Sequence, residues 1–260
     1  MTIYEIKRHI PELDLMKKYP KELFAIGDAS LLDRPKVSIV GTRRPSPYTK
    51  QLTSLLSQSL AKRGVCIVSG AAMGLDAIAH TAAGADNTIA VVANSLDIRY
   101  PIINHQMIQK IEEEGLVLSQ FPSRFKARTW SFVVRNELVV ALGDVLIVAE
   151  ADENSGSMRS VEFALKMGKK VYVLPQRIGE SKGTNKLLEE GLAEPIYNIE
   201  MFSNNYGIEP SCETIVKDDF FYFCQTLPTL DDAVEKFDNR VYEAELEGLI
   251  SIKNGLIHLL

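Results

Sequence analysis

Short apolar runs punctuate the chain up to about its two-thirds point and are read as lacking polar alternation. They are Lys36–Val40, Val65–Ser69, Thr88–Ala93, Leu116–Ser119, Val145–Ala149 and Val171–Leu174. Runs of this length without polar alternation predict parallel strands covered on both faces. Between them, apolar residues return every three or four positions. Tyr48–Arg63, with Leu52, Leu55, Leu56 and Leu60, is one such segment; Asn104–Glu114, Phe132–Leu142 and Ser157–Met167 share the pattern. Strand and helix alternating through short connections predict an α/β fold with a doubly wound, mostly parallel sheet.

The end of the chain reads differently. Val216–Thr226, Leu230–Phe237 and Arg240–Leu249 predict three short helices. Two apolar runs follow, Leu249–Ile252 and Leu256–Leu260, joined by Lys253-Asn254-Gly255, and Asn-Gly is a strong hairpin signal. Three helices and a hairpin predict a small winged-helix-like domain over 206–260. The polar stretch Ser203–Pro210 is the expected linker to a main domain over 33–205. Residues 1–32 read as a short helical lead-in that ends in a turn near Gly27-Asp28.

Composition narrows the class. The chain has 260 residues, 46% hydrophobic and 24% charged, the balance of a globular protein. No apolar run approaches the roughly 20 residues of a membrane-spanning helix, so no membrane partner is expected. Met1–Lys18 mixes charged and apolar residues and lacks the apolar core of a secretory signal. The cysteines Cys66, Cys212 and Cys224 form no CxxC pair. A reduced, cytoplasmic protein without a cysteine metal site is the expectation. The net charge of −5 is unevenly placed. Residues 200–260 carry 4 Lys+Arg against 12 Asp+Glu, while the preceding part carries 25 against 22. A mildly basic body can hold a concentrated anion site, because local fields set binding.

Ligands of open parallel sheets sit beyond the carboxyl ends of the strands. After the first strand comes Gly41-Thr42-Arg43-Arg44, where a close backbone approach, a hydroxyl and guanidiniums suit a phosphate. After the second comes Ser69-Gly70, leading through Gly74 into a helix that begins Leu75-Asp76. After the fifth comes Ser155-Gly156-Ser157, again opening a helix; after the sixth, Gly183-Thr184-Asn185 does the same. Such junctions aim free amides at anions. Trp130 and Phe132, with Arg135 and Asn136 beside them, suit a stacked, unpaired base with a phosphate contact. Several such loops on one sheet edge favour a polyanion over a mononucleotide. Neither a P-loop, an HExxH nor a GxSxG occurs, and no nucleophile–base pair stands out. No catalytic residue, cofactor or metal is therefore expected.

Taken together, these segments resemble the DNA-processing protein A (DprA/Smf) family. The resemblance rests on Tyr19–Leu23, Val40–Arg43, Ser69-Gly70 through Asp76, Tyr100-Pro101, Phe132 through Arg135-Asn136, Ser155–Ser157 and Gly183–Asn185. It implies an extended Rossmann-like domain that binds single-stranded DNA, with duplex DNA as a further candidate. It implies homodimers and a non-enzymatic role in natural transformation, loading the RecA recombinase onto DNA. Arg43 would be the principal phosphate ligand, the Ser69-Gly70 and Ser155–Ser157 amides would hold further phosphates, and Phe132 would contact a base. Glu137 stands where relatives carry a second arginine, and Met158-Arg159-Ser160 replaces a threonine-alanine continuation. The alternative reading is a Rossmann-like nucleotide-processing enzyme of the nucleoside-monophosphate phosphoribohydrolase kind. A DNA-binding regulator acting through the winged helix is less favoured, because that tail holds few basic residues.

Overall fold

The structure is a computed structural model that describes residues 2–208, 219–224, 226–246, 249–253 and 255–259. The chain divides into two compact units, Met1–Pro210 and Ser211–Leu260.

The first unit is built on a nine-stranded sheet. Its strands are β1 (Tyr4–Glu5), β2 (Phe24–Gly27), β3 (Lys36–Val40), β4 (Cys66–Ser69), β5 (Thr88–Val91), β6 (Leu116–Ser119), β7 (Val145–Val148), β8 (Val171–Val173) and β9 (Glu194–Pro195). Their spatial order is β1-β2-β6-β5-β4-β3-β7-β8-β9. From β6 to β9 every pairing is parallel; β2 runs antiparallel to β6, and β1 to β2. Every residue of β3 to β7 is buried, as expected of strands covered on both faces; the polar Lys36 and Ser38 of β3 are buried with hydrogen bonds to Leu32 O and Val139 O.

The helices are α1 (Pro47–Ala61), α2 (Leu75–Ala83), α3 (His105–Glu114), α4 (Thr129–Leu142), α5 (Gly156–Lys166), α6 (Lys182–Glu189) and α7 (Ile199–Ser203). Leu56 and Leu60 of α1 and Leu75 and Ala79 of α2 cover one face of the sheet through Ile39, Ile67 and Ile147. Leu138 and Leu142 of α4 and Val161 and Ala164 of α5 cover the other through Val68, Leu146 and Val148. Helix α4 is tied to the sheet by Ser38 Oγ, which donates to Val139 O at 2.6 Å. At its C-terminus Lys169 Nζ donates to Ala141 O at 2.6 Å, a cation at the negative end of the helix.

The lead-in differs from expectation. Residues 4–27 are the antiparallel margin of the sheet rather than a helical segment, with a 3₁₀ turn at Pro11–Leu15 between the two strands. Leu23–Ile26 is a short apolar run between Glu22 and Gly27 that does not by itself announce a strand; tertiary pairing with β6 decides it. Leu13 is fully buried in the same core layer as Leu138.

In the second unit the described residues form α8 (Asp219–Cys224), α9 (Leu230–Phe237), α10 (Arg240–Leu246) and a hairpin of β10 (Ile250–Lys253) and β11 (Leu256–Leu259). This is the helix and hairpin order of a winged-helix-like module. Phe220, Ala233, Val241, Ile250 and Ile257 form its core. Thr229 caps α9 by accepting from Asp232 N at 3.2 Å. Asn254 of the expected turn, and Cys212, lie outside the described residues.

Leu13→Ala is expected to lower unfolding free energy by about 2–5 kcal/mol, the cost of a cavity in a shared core. The measurement is urea denaturation. A change below about 0.5 kcal/mol, the range of surface substitutions, would show that the lead-in does not belong to the core.

Candidate nucleic-acid interface

After β3 the chain proceeds to β4, β5 and β6 on one side, then returns to β7 on the other. Chain segments leaving the adjacent strands β3 and β7 therefore diverge onto opposite faces, and a crevice opens beyond their carboxyl ends. It measures about 650 Å³. Its floor is knitted by backbone: Thr42 N donates to Glu150 O at 2.8 Å, and Leu75 N to Thr42 O at 3.2 Å. Gly74 adopts φ +84°, and a Cβ there would lie 2.5 Å from Thr42 O. Only glycine permits this approach.

Of the residues expected at a DNA site, Gly41, Thr42, Arg43, Phe132, Arg135, Asn136, Ser155, Gly156 and Ser157 line this cleft. Arg43 is exposed, and its Cζ stands 5.7 Å from the centre of the half-buried Phe132 ring. Tyr100 lies beyond, its ring centre 6.4 Å from that of Phe132. Opposite, α5 directs its N-terminus at the cleft with no acidic residue in its first turn. Its first amides have no partner within the helix. The Ser155 and Ser160 hydroxyls are buried there without a protein hydrogen bond. An anion at this point would meet amides, hydroxyls and the positive helix end together. Asn136 Nδ2 donates to Gly156 O at 3.4 Å, which joins α4 to that turn.

Several expected residues, Arg135 of the cleft lining among them, take structural roles. Arg135 is 5% exposed. Its Nη1 lies 3.7 Å from Asp76 Oδ2, and a Cβ on Gly70 would fall 1.0 Å from that same nitrogen. The space beside Gly70 thus holds the Arg135 guanidinium, which faces Asp76. Asp76 in turn accepts from Gly70 N at 3.2 Å and Ala72 N at 3.4 Å. The Gly70 amide is therefore turned inward, and Gly70 lines a small adjoining hollow with Arg43, Tyr100 and Phe132. Ser69 is fully buried and donates to Ile39 O at 2.6 Å, bridging β4 to β3. Thr184 is also buried and donates to Ser181 O at 3.0 Å; Asn185 donates to Glu180 O at 2.8 Å. These last two stand apart from the cleft, Asn185 on a separate surface depression with Lys182 and Lys186. Glu137 accepts from Lys17 N at 2.8 Å and so ties α4 to the N-terminal margin.

Tyr100, Ser160, Asp76 and His80 are residues to which the sequence alone assigns no role in the site. Ser160 follows Ser157 at helical spacing, a signal that was available. Burial pushes the Asp76 carboxyl up, against the opposing pull of Arg135 and the amides. Burial drives His80 down to about 3, so its ring is neutral. Its Nε2 accepts from Ala71 N at 3.3 Å, and its Nδ1 therefore carries the proton and donates to Thr88 Oγ1, which donates to Ile67 O at 2.9 Å. Among the described residues, no group of three His, Cys, Asp or Glu is placed to hold a metal ion.

The strand order and the cleft at its switch point define an extended Rossmann-like protein. Within that class, the pattern of the DNA recombination-mediator protein A family matches residues 1–207, and the chain belongs to that family. It is 34% identical over 186 residues to DNA processing protein DprA of Bacillus subtilis, covering 70% of this chain and 62% of that protein. It is 36% identical over 180 residues to protein Smf of a Synechocystis species, covering 68% and 45%. The chain thus matches between about half and three-fifths of the length of these relatives. Among solved structures, DNA processing protein A from Helicobacter pylori, described for its single-stranded DNA binding mode, is 48% identical with a TM-score of 0.77 over 78% of this chain and 94% of that one. DprA from Streptococcus pneumoniae is 32% identical with a TM-score of 0.73 over 80% and 75%.

A histidine held neutral in the fold and free to protonate when unfolded makes stability depend on pH. The unfolded chain binds the extra proton below its ordinary value near 6.5, so stability present above that pH is lost as pH falls toward 3. The contribution of His80 is expected to approach 1.4 kcal/mol per pH unit, as an order-of-magnitude slope. Urea denaturation at stepped pH, wild type against His80→Gln, measures it. The variant should show the shallower dependence between pH 6 and 4, on the order of one unit's worth per step; equal slopes would remove His80 as the cause.

Proposed function

We propose that this protein binds single-stranded DNA in the cleft beyond β3 and β7 and helps load the RecA recombinase onto it during natural transformation. It would act in the cytoplasm as a homodimer without chemistry of its own. The observation that carries the reading is one cleft joining an exposed arginine, an aromatic ring and a helix N-terminus with unpartnered hydroxyls. Arg43 and α5 would hold successive phosphates, and Phe132 would stack a base. The family's recombination-mediator character and the single-stranded DNA binding described for the Helicobacter pylori relative support it. Two of the three carboxylates that line the cleft are engaged, and the third, Asp152, is exposed. Asp76 answers Arg135 and two amides, and Glu150 accepts from Ser46 N at 3.1 Å. Neither is paired with a nucleophile, which disfavours the phosphoribohydrolase alternative.

Titration of a labelled oligothymidine tests the binding. Affinity should fall steeply with salt, at about 0.7 log units per log unit of salt for each phosphate neutralised. At fixed salt, Arg43→Ala should cost more than Phe132→Ala, for which one lost stack is worth about 1–3 kcal/mol. Arg44→Ala should cost about 0–1 kcal/mol, as an exposed charge does. Wild-type affinity in Arg43→Ala with loss in Arg44→Ala would put the phosphate on the other arginine. Incubation with ATP and with nucleoside monophosphates should release no product beyond the amount of protein present; sustained turnover would favour the enzyme reading.

A further inference from the structure

The connection from β6 to α4 is unlike the other strand–helix junctions. Its residues Arg124, Phe125, Lys126, Ala127 and Arg128 alternate between exposed and half-buried, with all three cations exposed. Arg128 has extended backbone angles, φ −130° and ψ 160°. Alternation of this kind places Lys126 and Arg128 on one side, about 6.6 Å apart at two residues of extended chain, and Arg124, left-handed at φ +66°, turns the chain into this stretch. That spacing is comparable with the distance between neighbouring phosphates on a stretched single strand.

An aromatic cluster holds this loop in place. Phe125 stacks on the buried Phe121, with ring centres 4.4 Å apart and planes 11° from parallel. Trp130 meets both rings edge-on, at 5.7 and 5.5 Å. Ser95 N donates to Phe125 O at 3.0 Å, and Arg124 N donates to the Asp97 carboxylate, also at 3.0 Å. Trp130 nevertheless remains 51% exposed. Half of this residue is thus left to solvent although it packs on two other rings.

The charges here are unbalanced. Among the described residues, no carboxylate lies within ion-pair distance of Arg124, Lys126 or Arg128. The three cations precede the positive end of α4, whose first turn contains no acidic residue. Cations at a helix N-terminus oppose the dipole, so the arrangement favours a bound anion over a free surface.

We infer that residues 124–130 are a second nucleic-acid contact, which takes the single strand as it leaves the cleft. Arg124, Lys126 and Arg128 bind successive phosphates, and Trp130 stacks a base. Phe132, two residues along α4, belongs to the cleft, so a strand crossing the start of this helix passes from one contact to the other. The inference rests on the reading that the cleft takes single-stranded DNA.

The test compares wild type, Arg43→Ala and the triple variant R124A/K126A/R128A on a short oligothymidine of about 4 nucleotides and a long one of about 16, the range of site sizes for a small single-strand binding fold. The triple variant should bind the short strand within about twofold of wild type and the long strand about tenfold or more weakly. Its slope of log affinity against log salt on the long strand should fall by about 2, from three phosphates at about 0.7 each. Trp130 is the single tryptophan of the chain, so its emission reports on the loop directly. Saturating long DNA should quench that emission in the wild type. The emission of the unliganded triple variant should match wild type if the aromatic cluster is intact, as expected for removal of exposed side chains. Undiminished affinity and slope in that variant, with Arg43→Ala weakened, would overturn the loop contact and leave the cleft reading standing. Loss of binding in the triple variant with Arg43→Ala unaffected would overturn the cleft reading, and with it the loop's place as a second contact. Tryptophan emission indifferent to bound long DNA would overturn the stacking role of Trp130.

Discussion

The carboxyl edge of the sheet depends on one buried contact, that of Arg135 with Asp76 in the space left by the missing side chain of Gly70. Arg135 comes from α4 on one face of the sheet and Asp76 from α2 on the other, so the pair clasps the two helical layers together over the strand ends. Burying a guanidinium is costly unless an opposite charge and hydrogen bonds answer it. Asp76 supplies the charge and is itself held by the amides of Gly70 and Ala72. His80 takes the amide between them. The first three amides of the β4–α2 loop, those of Gly70, Ala71 and Ala72, are therefore engaged within the protein. What the loop supplies is position: with Arg135 fixed, Phe132 stands almost one turn earlier on the same helix, at the rim of the cleft, within reach of Arg43.

Much of this was legible in the chain, and the failures share a cause. Strands buried on both faces announce themselves through unbroken apolar runs, and Lys36–Val40 and Leu116–Ser119 have the bounds expected of them. The rule that ligands meet the ends of strands led to Arg43 and Ser155–Ser157 at the switch-point cleft. The same rule also pointed to Ser69, Thr184 and Asn185, whose polar groups are consumed by nearby backbone carbonyls. Residue type and position indicate that a polar group lies at an edge; they do not indicate whether protein already satisfies it. Arg135 shows this most sharply. Helical spacing places it near Phe132, but depth within the layer depends on Gly70, which is distant in sequence. Phe24–Gly27 was missed for a related reason, since its strand character comes from pairing with β6 rather than from its own pattern.

The division between buried and exposed arginine bears on how a chain of net charge −5 can meet a polyanion. Arg135 has been stripped of water and paired, and burial disfavours its charged form. It attracts no mobile counterions and releases none, so it can add little to the salt-dependent part of binding. That part must come from cations still in contact with solvent, such as Arg43 at the cleft and the unpaired series Arg124, Lys126 and Arg128 before α4. Screening confines each charge to about 8–10 Å at ordinary ionic strength. A phosphate at Arg43 thus responds to the α5 N-terminus and to its immediate neighbours rather than to the chain total. Most of the acidic excess lies after position 200 in the sequence, 12 Asp+Glu against 4 Lys+Arg. Total charge therefore does not decide whether this edge of the sheet can meet an anion; under the proposed function, the few solvent-facing cations placed there do.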